Sequence, residues 1–231
     1  MHVKGMPAGR ATTMVSPSDA IALTGEARRF VSRGGDKLDG ALDRLDVAVE
    51  DRRWLDAGAS TGGFTDRLLR GGASAVIAAD VGYGQLDWGL RNDERVTVLE
   101  RTNIRTLTPE DLPWQPDGVV ADLSFISLTL VLPALSSVVA TEGDFVLMVK
   151  LQFEVGKTRI GRGGVVKDPE LWTEAVERVV ACGGGQGLVL VGATASDLVG
   201  PAGNHEFFVH LTRRGAHNGG AIEQAIAEAQ N

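Results

Sequence analysis

The sequence predicts an α/β fold: a doubly wound, mostly parallel seven-stranded sheet with an antiparallel last strand. Short apolar runs alternate with helical patterns along the chain, which is typical of parallel strands covered on both faces. A glycine-rich turn at residues 55–64 joins the first of these runs to a helical pattern. The last two runs are separated by residues 200–204 without a helix, so we expect their strands to pair antiparallel.

The predicted elements follow one another in a regular order. A helical pattern opens at Lys37, and Ser60 or Thr61 is expected to cap the helix after the glycine-rich turn. Residues 6–9 predict a turn, and residues 13–15 and 20–23 predict short strand-like pieces. The sheet strands are predicted at 54–56, 75–80, 96–99, 118–121, 145–149, 188–191 and 207–211. Further helices are predicted at 108–111, 128–140, 169–182 and 221–229.

Composition restricts the class of protein. A chain of 231 residues with 43% hydrophobic residues is expected to form one domain with a large core. The single cysteine, Cys182, excludes an internal disulfide and a cysteine-rich metal site, and it agrees with a reducing cytoplasm. The sequence has no signal-peptide pattern and no apolar run long enough to span a membrane. We therefore expect a cytoplasmic protein with neither metal nor membrane among its partners.

The charge distribution is uneven. A formal charge of −7 argues against a general nucleic-acid binder. Residues 1–37, however, carry six basic against three acidic residues, and residues 150–167 carry five against one. Such segments are often solvated surface, but both adjoin the candidate chemical residues below.

The glycine-rich turn indicates a cofactor site. Its spacing differs from the dinucleotide motif G-x-G-x-x-G, and Asp56 leads the turn. A carboxylate there would repel a pyrophosphate but suits a cationic ligand such as an amino group. The next strand ends in Asp80, at a position that accepts hydrogen bonds from ribose hydroxyls in this fold class. Together, Asp56 and Asp80 favour S-adenosylmethionine over NAD as the cofactor. The alternative is that the stretch is an ordinary turn between a strand and a helix, with no ligand.

Four charged residues are predicted to meet at the same edge. Asp122 and Lys150 end neighbouring central strands, and Glu206 begins the last strand, which should insert beside Lys150. Lys37 begins the first helix, which can fold over this edge. Such a group suits the activation of a ribose hydroxyl, which needs a positioned base at neutral pH. Spacing alone leaves a structural salt-bridge network as the alternative.

These four residues match a known pattern. Lys37, Asp122, Lys150 and Glu206 resemble the Lys-Asp-Lys-Glu tetrad of FtsJ-like ribose 2′-O-methyltransferases. More narrowly, the chain resembles the TlyA family of hemolysin-like ribosomal-RNA methyltransferases. The resemblance runs in order from about residue 28 to about residue 214. The matching stretches are 32–38, 55–64, 80–86, 91–93, 100–103, 121–127, 152–157 and 203–207.

The resemblance implies a Rossmann-like methyltransferase domain over residues 28–214 that methylates a ribose 2′-hydroxyl of ribosomal RNA, free or in ribosomal subunits. Lys150 would lower the pKa of the hydroxyl or take its proton, Asp122 would orient both, and Lys37 and Glu206 would balance charge. The implied S-adenosylmethionine contacts are Asp56, Gly58, Ala59, Ser60, Thr61, Gly62, Gly63, Phe64, Asp80, Thr102 and Asn103. The candidate RNA phosphate contacts are Arg33, Lys157, Arg159 and Arg162.

The sequence departs from the family in three places, one of which is the unusual run of glycines at residues 183–185, away from the site. The family carries an N-terminal RNA-binding module like that of ribosomal protein S-four, and residues 3–23 resemble only its last strands. Residues 1–27 are therefore expected to be a remnant of that module with its linker, and residues 215–231 a C-terminal tail helix. Leu151 stands where the family usually has proline after the catalytic lysine.

Three other functions compete with this interpretation. One is a methyltransferase of the same fold that acts on a base or a small molecule. A base methyltransferase would normally carry an aromatic box such as N-P-P-Y after the fourth strand, where this chain has residues 122–125 instead. A lytic protein, as the hemolysin name suggests, would need membrane affinity, which an acidic chain lacks toward anionic lipid. An RNA-binding protein without catalysis would not need the tetrad.

Overall fold

The computed structural model describes residues 2–8, 13–22 and 28–230, apart from the side chains of Lys157 and Arg162. Its main feature is a seven-stranded sheet in the order β6-β5-β4-β7-β8-β10-β9. The strands are β4 (Arg53–Ala57), β5 (Ala75–Asp80), β6 (Val96–Glu100), β7 (Gly118–Ala121), β8 (Asp144–Lys150), β9 (Val189–Ala195) and β10 (Glu206–Thr212). The first five are parallel to one another, and β10 runs antiparallel to both β8 and β9. The predicted fold class is confirmed.

Helices cover both faces of this sheet. They are α1 (Arg33–Arg44), α2 (Gly63–Arg70), α3 (Trp88–Arg91), α4 (Leu132–Val138), α5 (Leu151–Glu154), α6 (Pro169–Gly184) and α7 (Ala221–Gln230). Short 3₁₀ turns lie at Ile104–Thr106, Pro109–Asp111, Leu128–Leu130, Lys157–Arg159 and Arg162–Gly164. No described helix is long and apolar enough to cross a membrane.

Two apolar layers follow from strand alternation, because successive side chains point to opposite faces. Trp54 of β4 packs with the inner faces of α1 and α2, whereas its neighbour Leu55 packs with α4 and α6 on the other face. The C-terminal helix α7 joins the second layer through Ala225 and Ile226, so the tail helix is docked on the sheet.

The N-terminal residues form a small separate sheet in which β1 (His2–Val3) pairs with β2 (Met6–Pro7) and β3 (Ile21–Ala22). The expected turn at 6–9 was wrong, because the hairpin turns earlier, at Lys4 and Gly5. Both have positive φ angles, 53° and 78°, as a two-residue hairpin turn of the I′ type requires. Residues 13–15 lie outside the strands. Position 9 of that turn and position 23 lie outside the described residues.

Several helix boundaries differ from the expectation. Helix α1 begins at Arg33, so Lys37 lies in its second turn rather than at its start. The helix predicted at 108–111 is a 3₁₀ turn at Pro109–Asp111. Helix α2 begins after Gly62, whose φ is 97° and which offers no side-chain cap, so neither Ser60 nor Thr61 caps it. The predicted helix at 128–140 is divided, because Leu128–Leu130 forms a 3₁₀ turn and α4 starts only at Leu132. Pro133, at the start of α4, fits only the first turn of a helix.

Candidate active site

The carboxyl ends of β4, β5, β7 and β8 meet at one edge, where the glycine-rich turn approaches the segment after β7. Gly58 has a φ of 89°, and a Cβ atom built on it would lie 2.8 Å from the backbone oxygen of Asp122. Only glycine therefore permits this approach. The turn is tied to the sheet because the Gly58 amide donates to the oxygen of Ala79 at 2.8 Å.

A cavity of about 430 Å³ opens between this turn and the segment after β7. Its wall combines the carboxylates of Asp80 and Asp122 and the amide of Asn103 with apolar groups such as Ile104 and Leu123. Concave sites of this size and mixed lining are typical of nucleoside-sized ligands. A second cavity of about 110 Å³ shares Gly58, Ser60 and Asp122 with the first, and Ala59, Thr61, Gly63, Phe64 and Lys37 line it as well.

The Asp80 carboxylate is fixed at the rim of the larger cavity. Its Oδ2 accepts from the Ser60 amide at 2.9 Å, and its Oδ1 accepts from the Gly82 amide at 2.6 Å. A carboxylate has about four acceptor positions, so these two bonds orient Asp80 and leave it able to accept from a ligand hydroxyl.

Asp56 lies elsewhere. Its side chain is completely buried beneath α2, where Oδ2 accepts from the Thr65 hydroxyl at 2.7 Å and Oδ1 has no hydrogen-bond partner among the described residues. Burial raises the pKa of Asp56 to about 7; the charges of Asp122 and Asp80 add to this, and the bond from Thr65 opposes it. The predicted direct contact of Asp56 with a cofactor amino group needs correction, because the carboxyl group is in the wall of neither cavity.

The four predicted catalytic residues come together as two ion pairs. Lys150 Nζ lies 2.5 Å from Asp122 Oδ1, and Lys37 Nζ is in direct contact with Glu206 Oε2. The second pair is almost completely buried, whereas the Lys150 and Asp122 side chains keep 12% and 26% of their exposure. Glu206 sits directly opposite Lys150 in the β10–β8 ladder, so register brings the two pairs side by side.

Of the other predicted cofactor contacts, Asn103 lines a cavity, whereas Thr102 and Gly62 do not. Asn103 lines the larger cavity, but the Thr102 hydroxyl donates to the oxygen of Glu100 and is absent from that wall. Gly62 lines neither of the two cavities; a Cβ atom there would collide with Leu90 and Leu86. Gly62 therefore shapes the turn rather than the cavity surface.

The predicted RNA contacts are partly occupied by protein groups. Arg159 forms a two-pronged pair with Glu174, which also binds Arg178, so its guanidinium is not a free phosphate ligand. Arg33 donates to the backbone oxygen of Val199 at 2.9 Å and stays exposed. The side chains of Lys157 and Arg162 lie outside the described part of the chain.

Two residues of the segment after β7 were missed by the sequence analysis. Lys150 Nζ donates to Ser124 Oγ at 2.8 Å, and Ser124 lines the larger cavity. Phe125 beside it is 91% exposed, has a φ of 65°, and contacts the ring of Phe153 at a centroid distance of 5.4 Å. An aromatic residue three positions after the charged residue Asp122 was the available signal in the sequence.

Comparison with known proteins identifies the family. The model of the FtsJ-like methyltransferase family matches residues 30–213. A Mycobacterium tuberculosis protein named 16S/23S rRNA (cytidine-2′-O)-methyltransferase TlyA is 52% identical over 99% of this chain and 88% of its own length. This chain belongs to the TlyA branch of the FtsJ-like methyltransferases.

Two further relatives agree with this TlyA assignment. The Campylobacter jejuni 23S rRNA (cytidine-2′-O)-methyltransferase TlyA is 32% identical over 85% of this chain and 76% of its own length. The crystal structure of a hemolysin-named protein from Lactococcus lactis superposes with a TM-score of 0.84 at 39% identity, covering 88% of this chain and 99% of that one. The expectations of an FtsJ-like fold and of a methyltransferase enzyme are confirmed.

The cavity of this TlyA-like chain fits the cofactor that methyltransferases of the family use. S-adenosylmethionine carries a ribose, an adenine and a cationic amino-acid end. Asp80 offers an acceptor for hydroxyls, Ile104 and Leu123 offer apolar surface beside the Asn103 amide, and Gly58 contributes to the wall without a side chain. The acidic wall agrees with a cationic ligand.

Proposed function

We propose that this protein transfers a methyl group from S-adenosylmethionine to a ribose 2′-hydroxyl of ribosomal RNA. The observation that carries the proposal is the Lys150–Asp122 pair, held at 2.5 Å where the cavity meets the carboxyl edge of β8. The names of the relatives further support a cytidine of ribosomal RNA as the target. We expect the reaction in the cytoplasm, on ribosomal RNA or on ribosomal subunits.

Asp80, Asn103 and the backbone of residues 58–61 would hold the cofactor, with Asp80 on the ribose hydroxyls. The bound S-adenosylmethionine supplies an electrophilic methyl group. Displacement at that group is in line, so much of the rate comes from positioning the hydroxyl. Thr61, Gly63 and Phe64 extend this surface along the smaller cavity toward Lys37.

Lys150 would act as the base. Its neutral amine would take the 2′-hydroxyl proton as the hydroxyl oxygen gains the methyl group and the sulfur–methyl bond of the cofactor breaks, which leaves a neutral thioether; Asp122 would stabilise the ammonium that results. Lys37 and Glu206 form a buried pair of zero net charge that ties α1 to β10 beside this group. The pair therefore keeps the site closed on that side and balances charge there.

Recognition of the RNA would use the exposed rim. Phe125 offers an uncovered ring face beside the cavity, and stacking a base on an aromatic ring contributes about 1–3 kcal/mol. Arg33 is a candidate phosphate contact that keeps its exposure, and Lys157 and Arg162 stay proposals from sequence. We also propose residues 28–214 as the catalytic domain, residues 1–27 as part of an RNA-binding module with its linker, and α7 as a C-terminal helix packed on the catalytic domain.

The proposal is tested by methyl transfer to unmodified ribosomes and to their separated subunits. Lys150→Ala should lower turnover by about 10²–10⁴-fold, the usual contribution of a proton-transfer group, with cofactor affinity nearly unchanged. Lys150→Arg should not restore activity, because a guanidinium keeps its proton at any relevant pH.

Thermal denaturation of the same variants is the control. A purely structural salt-bridge network predicts that activity falls only as far as the melting temperature does. A stably folded Lys150→Ala protein that methylates RNA at the parent rate would rule out this mechanism.

A further inference from the structure

Lys150 is held by a second group that does not belong to the tetrad. Its Nζ donates to Ser124 Oγ at 2.8 Å while it also contacts Asp122 Oδ1 at 2.5 Å. Asp122 and Ser124 leave β7 two positions apart, and both line the larger cavity. The lysine therefore bridges two points of one short segment.

The hydroxyl of Ser124 is chemically suited to this role. A lysine ammonium has three protons, and a hydroxyl can accept a bond and still donate one of its own. Ser124 occupies one of the three N–H directions of Lys150, and the Asp122 carboxylate holds the amine by charge at 2.5 Å, so the amine keeps a direction for an incoming group. Among the described residues, the proton of Ser124 itself has no acceptor.

The segment that carries Ser124 is fixed at both ends. At its start the Asp122 amide donates to the oxygen of Ala57 at 3.1 Å. At its end the buried Glu154 accepts from the Ser127 hydroxyl at 2.5 Å and from the Leu128 amide at 2.8 Å. Glu154 is on α5, the helical turn that follows Lys150 directly. Lys150 and Glu154, at the two ends of this turn, therefore both bind the segment that carries Ser124.

We propose that Ser124 is a positioning residue for the base: with Asp122 it fixes the direction of the Lys150 amine toward the ribose hydroxyl. Two anchors restrict a lysine side chain that otherwise has large rotamer freedom. The inference rests on the proposed function, because it assigns Ser124 a role through Lys150.

The test compares Ser124→Ala with Ser124→Thr, which keeps the hydroxyl, in methyl transfer to unmodified ribosomal subunits between pH 6 and pH 9 (roughly the range in which lysine bases are tuned). Ser124→Ala should lower kcat by about ten- to a hundredfold, as expected for the loss of a hydrogen bond to a charged group. The shape of its pH–rate profile should change together with kcat, because Lys150 loses one of its two anchors. Ser124→Thr should restore both kcat and the profile.

Ser137→Ala is the matched control, since Ser137 is an exposed serine on α4 that bonds only within its own helix. All three variants should melt at the parent temperature. A Ser124→Ala enzyme with the parent kcat and pH profile would overturn the inference, and so would an effect on KM for RNA alone or an equal loss in Ser124→Thr. The proposed function would survive each of these outcomes if Lys150→Ala stayed inactive.

Discussion

At the scale of single residues, Asp56 and Asp80 show how two similar carboxylates take different tasks. Asp56 lies within β4 and Asp80 is the last residue of β5, and the register that pairs Asp56 with Ala78 puts both on the same face of the sheet. Asp56 is nevertheless buried beneath α2, whereas Asp80 reaches the cavity. Position along the strand and helix cover therefore decide which carboxyl group is buried.

Asp56→Asn should change the pH dependence of stability. The folded pKa of Asp56 is raised from 3.8 to about 7, so the folded state keeps a proton that the unfolded state loses. Rising pH therefore lowers the free energy of unfolding of the parent between these two values, by up to about 1.4 kcal/mol per pH unit, and has no further effect above them.

Urea denaturation at pH 5, 6, 7 and 8 measures this dependence. The free energy of unfolding of the asparagine variant should rise relative to that of the parent up to about pH 7, where the raised pKa of Asp56 is passed. Above that pH the difference between the two proteins should stay constant. Glu177→Gln, an exposed change on α6, should give no such trend. A constant difference over the whole range would contradict the raised pKa.

Asp80→Ala should weaken cofactor binding. The carboxylate is held by the Ser60 and Gly82 amides at the cavity rim, and hydrogen bonds to a charged group contribute roughly 1.5–3 kcal/mol. Calorimetric titration with S-adenosylmethionine should show a Kd raised by about ten- to a hundredfold, with no binding of NAD by either protein. Unchanged affinity for S-adenosylmethionine would remove Asp80 from the cofactor site.

At the scale of elements, the glycine-rich turn lets neighbouring backbone segments approach closely and does not cap α2 with a side chain. Gly58 lets β4 meet the segment after β7, and Gly62 lets the chain enter α2 beside Leu86 and Leu90. The helical turn α5 also positions the segment after β7. It begins directly at the end of β8, and its Glu154 accepts a hydrogen bond from the Leu128 amide.

Gly62→Ala should destabilise the protein by more than about 1 kcal/mol, because its φ is 97° and the new Cβ would lie 2.3 Å from Leu90. Gly184→Ala, near the end of α6, is the matched control, since a Cβ there meets no atom within 4 Å. That change should be neutral or stabilising by up to about 1 kcal/mol. Equal melting temperatures for Gly62→Ala and the parent would contradict the role of this turn.

At the scale of the whole molecule, the two edges of the sheet have different tasks. The carboxyl edge carries the cavity and the Lys150–Asp122 pair. At the opposite edge, Asp144 begins β8 and contacts His210 and Arg52, each at 2.7 Å. Burial would raise the pKa of Asp144, but the hydrogen bond from His210 and the charge of Arg52 outweigh it, so the pKa is lowered.

Asp144→Asn should therefore lower stability by about 1–3 kcal/mol at neutral pH and leave the kcat of the folded enzyme unchanged. Because the folded pKa is depressed, the contribution of Asp144 is present above its ordinary pKa and is lost as pH falls through the folded value. Asp122→Asn is the paired comparison and should reduce kcat with a smaller change in stability. If both variants lost activity in proportion to stability, this division between the two edges would be wrong.

The sequence by itself determined the fold class and most of the candidate site. Apolar runs at a strand period and the turn at residues 200–204 were sufficient for a mostly parallel sheet with an antiparallel last strand, because these local patterns have few compatible topologies. The same reasoning brought Asp122, Lys150 and Glu206 to one edge, since strand ends share an edge whatever the details of packing. Lys37 was expected there only because its helix can fold over that edge.

Only the tertiary structure decided where each of these side chains points and which groups it contacts. The Asp56 carboxyl group lies beneath α2, and Arg159 pairs with Glu174. Ser124 contacts Lys150 from a segment in which the sequence shows no helix or strand pattern. Each of these contacts joins residues from 9 to 26 positions apart in the chain, and the two lysine–carboxylate pairs join residues even farther apart, up to 169. Local periodicity has no information about such pairs, because they depend on strand order, register and the packing of helices on the sheet.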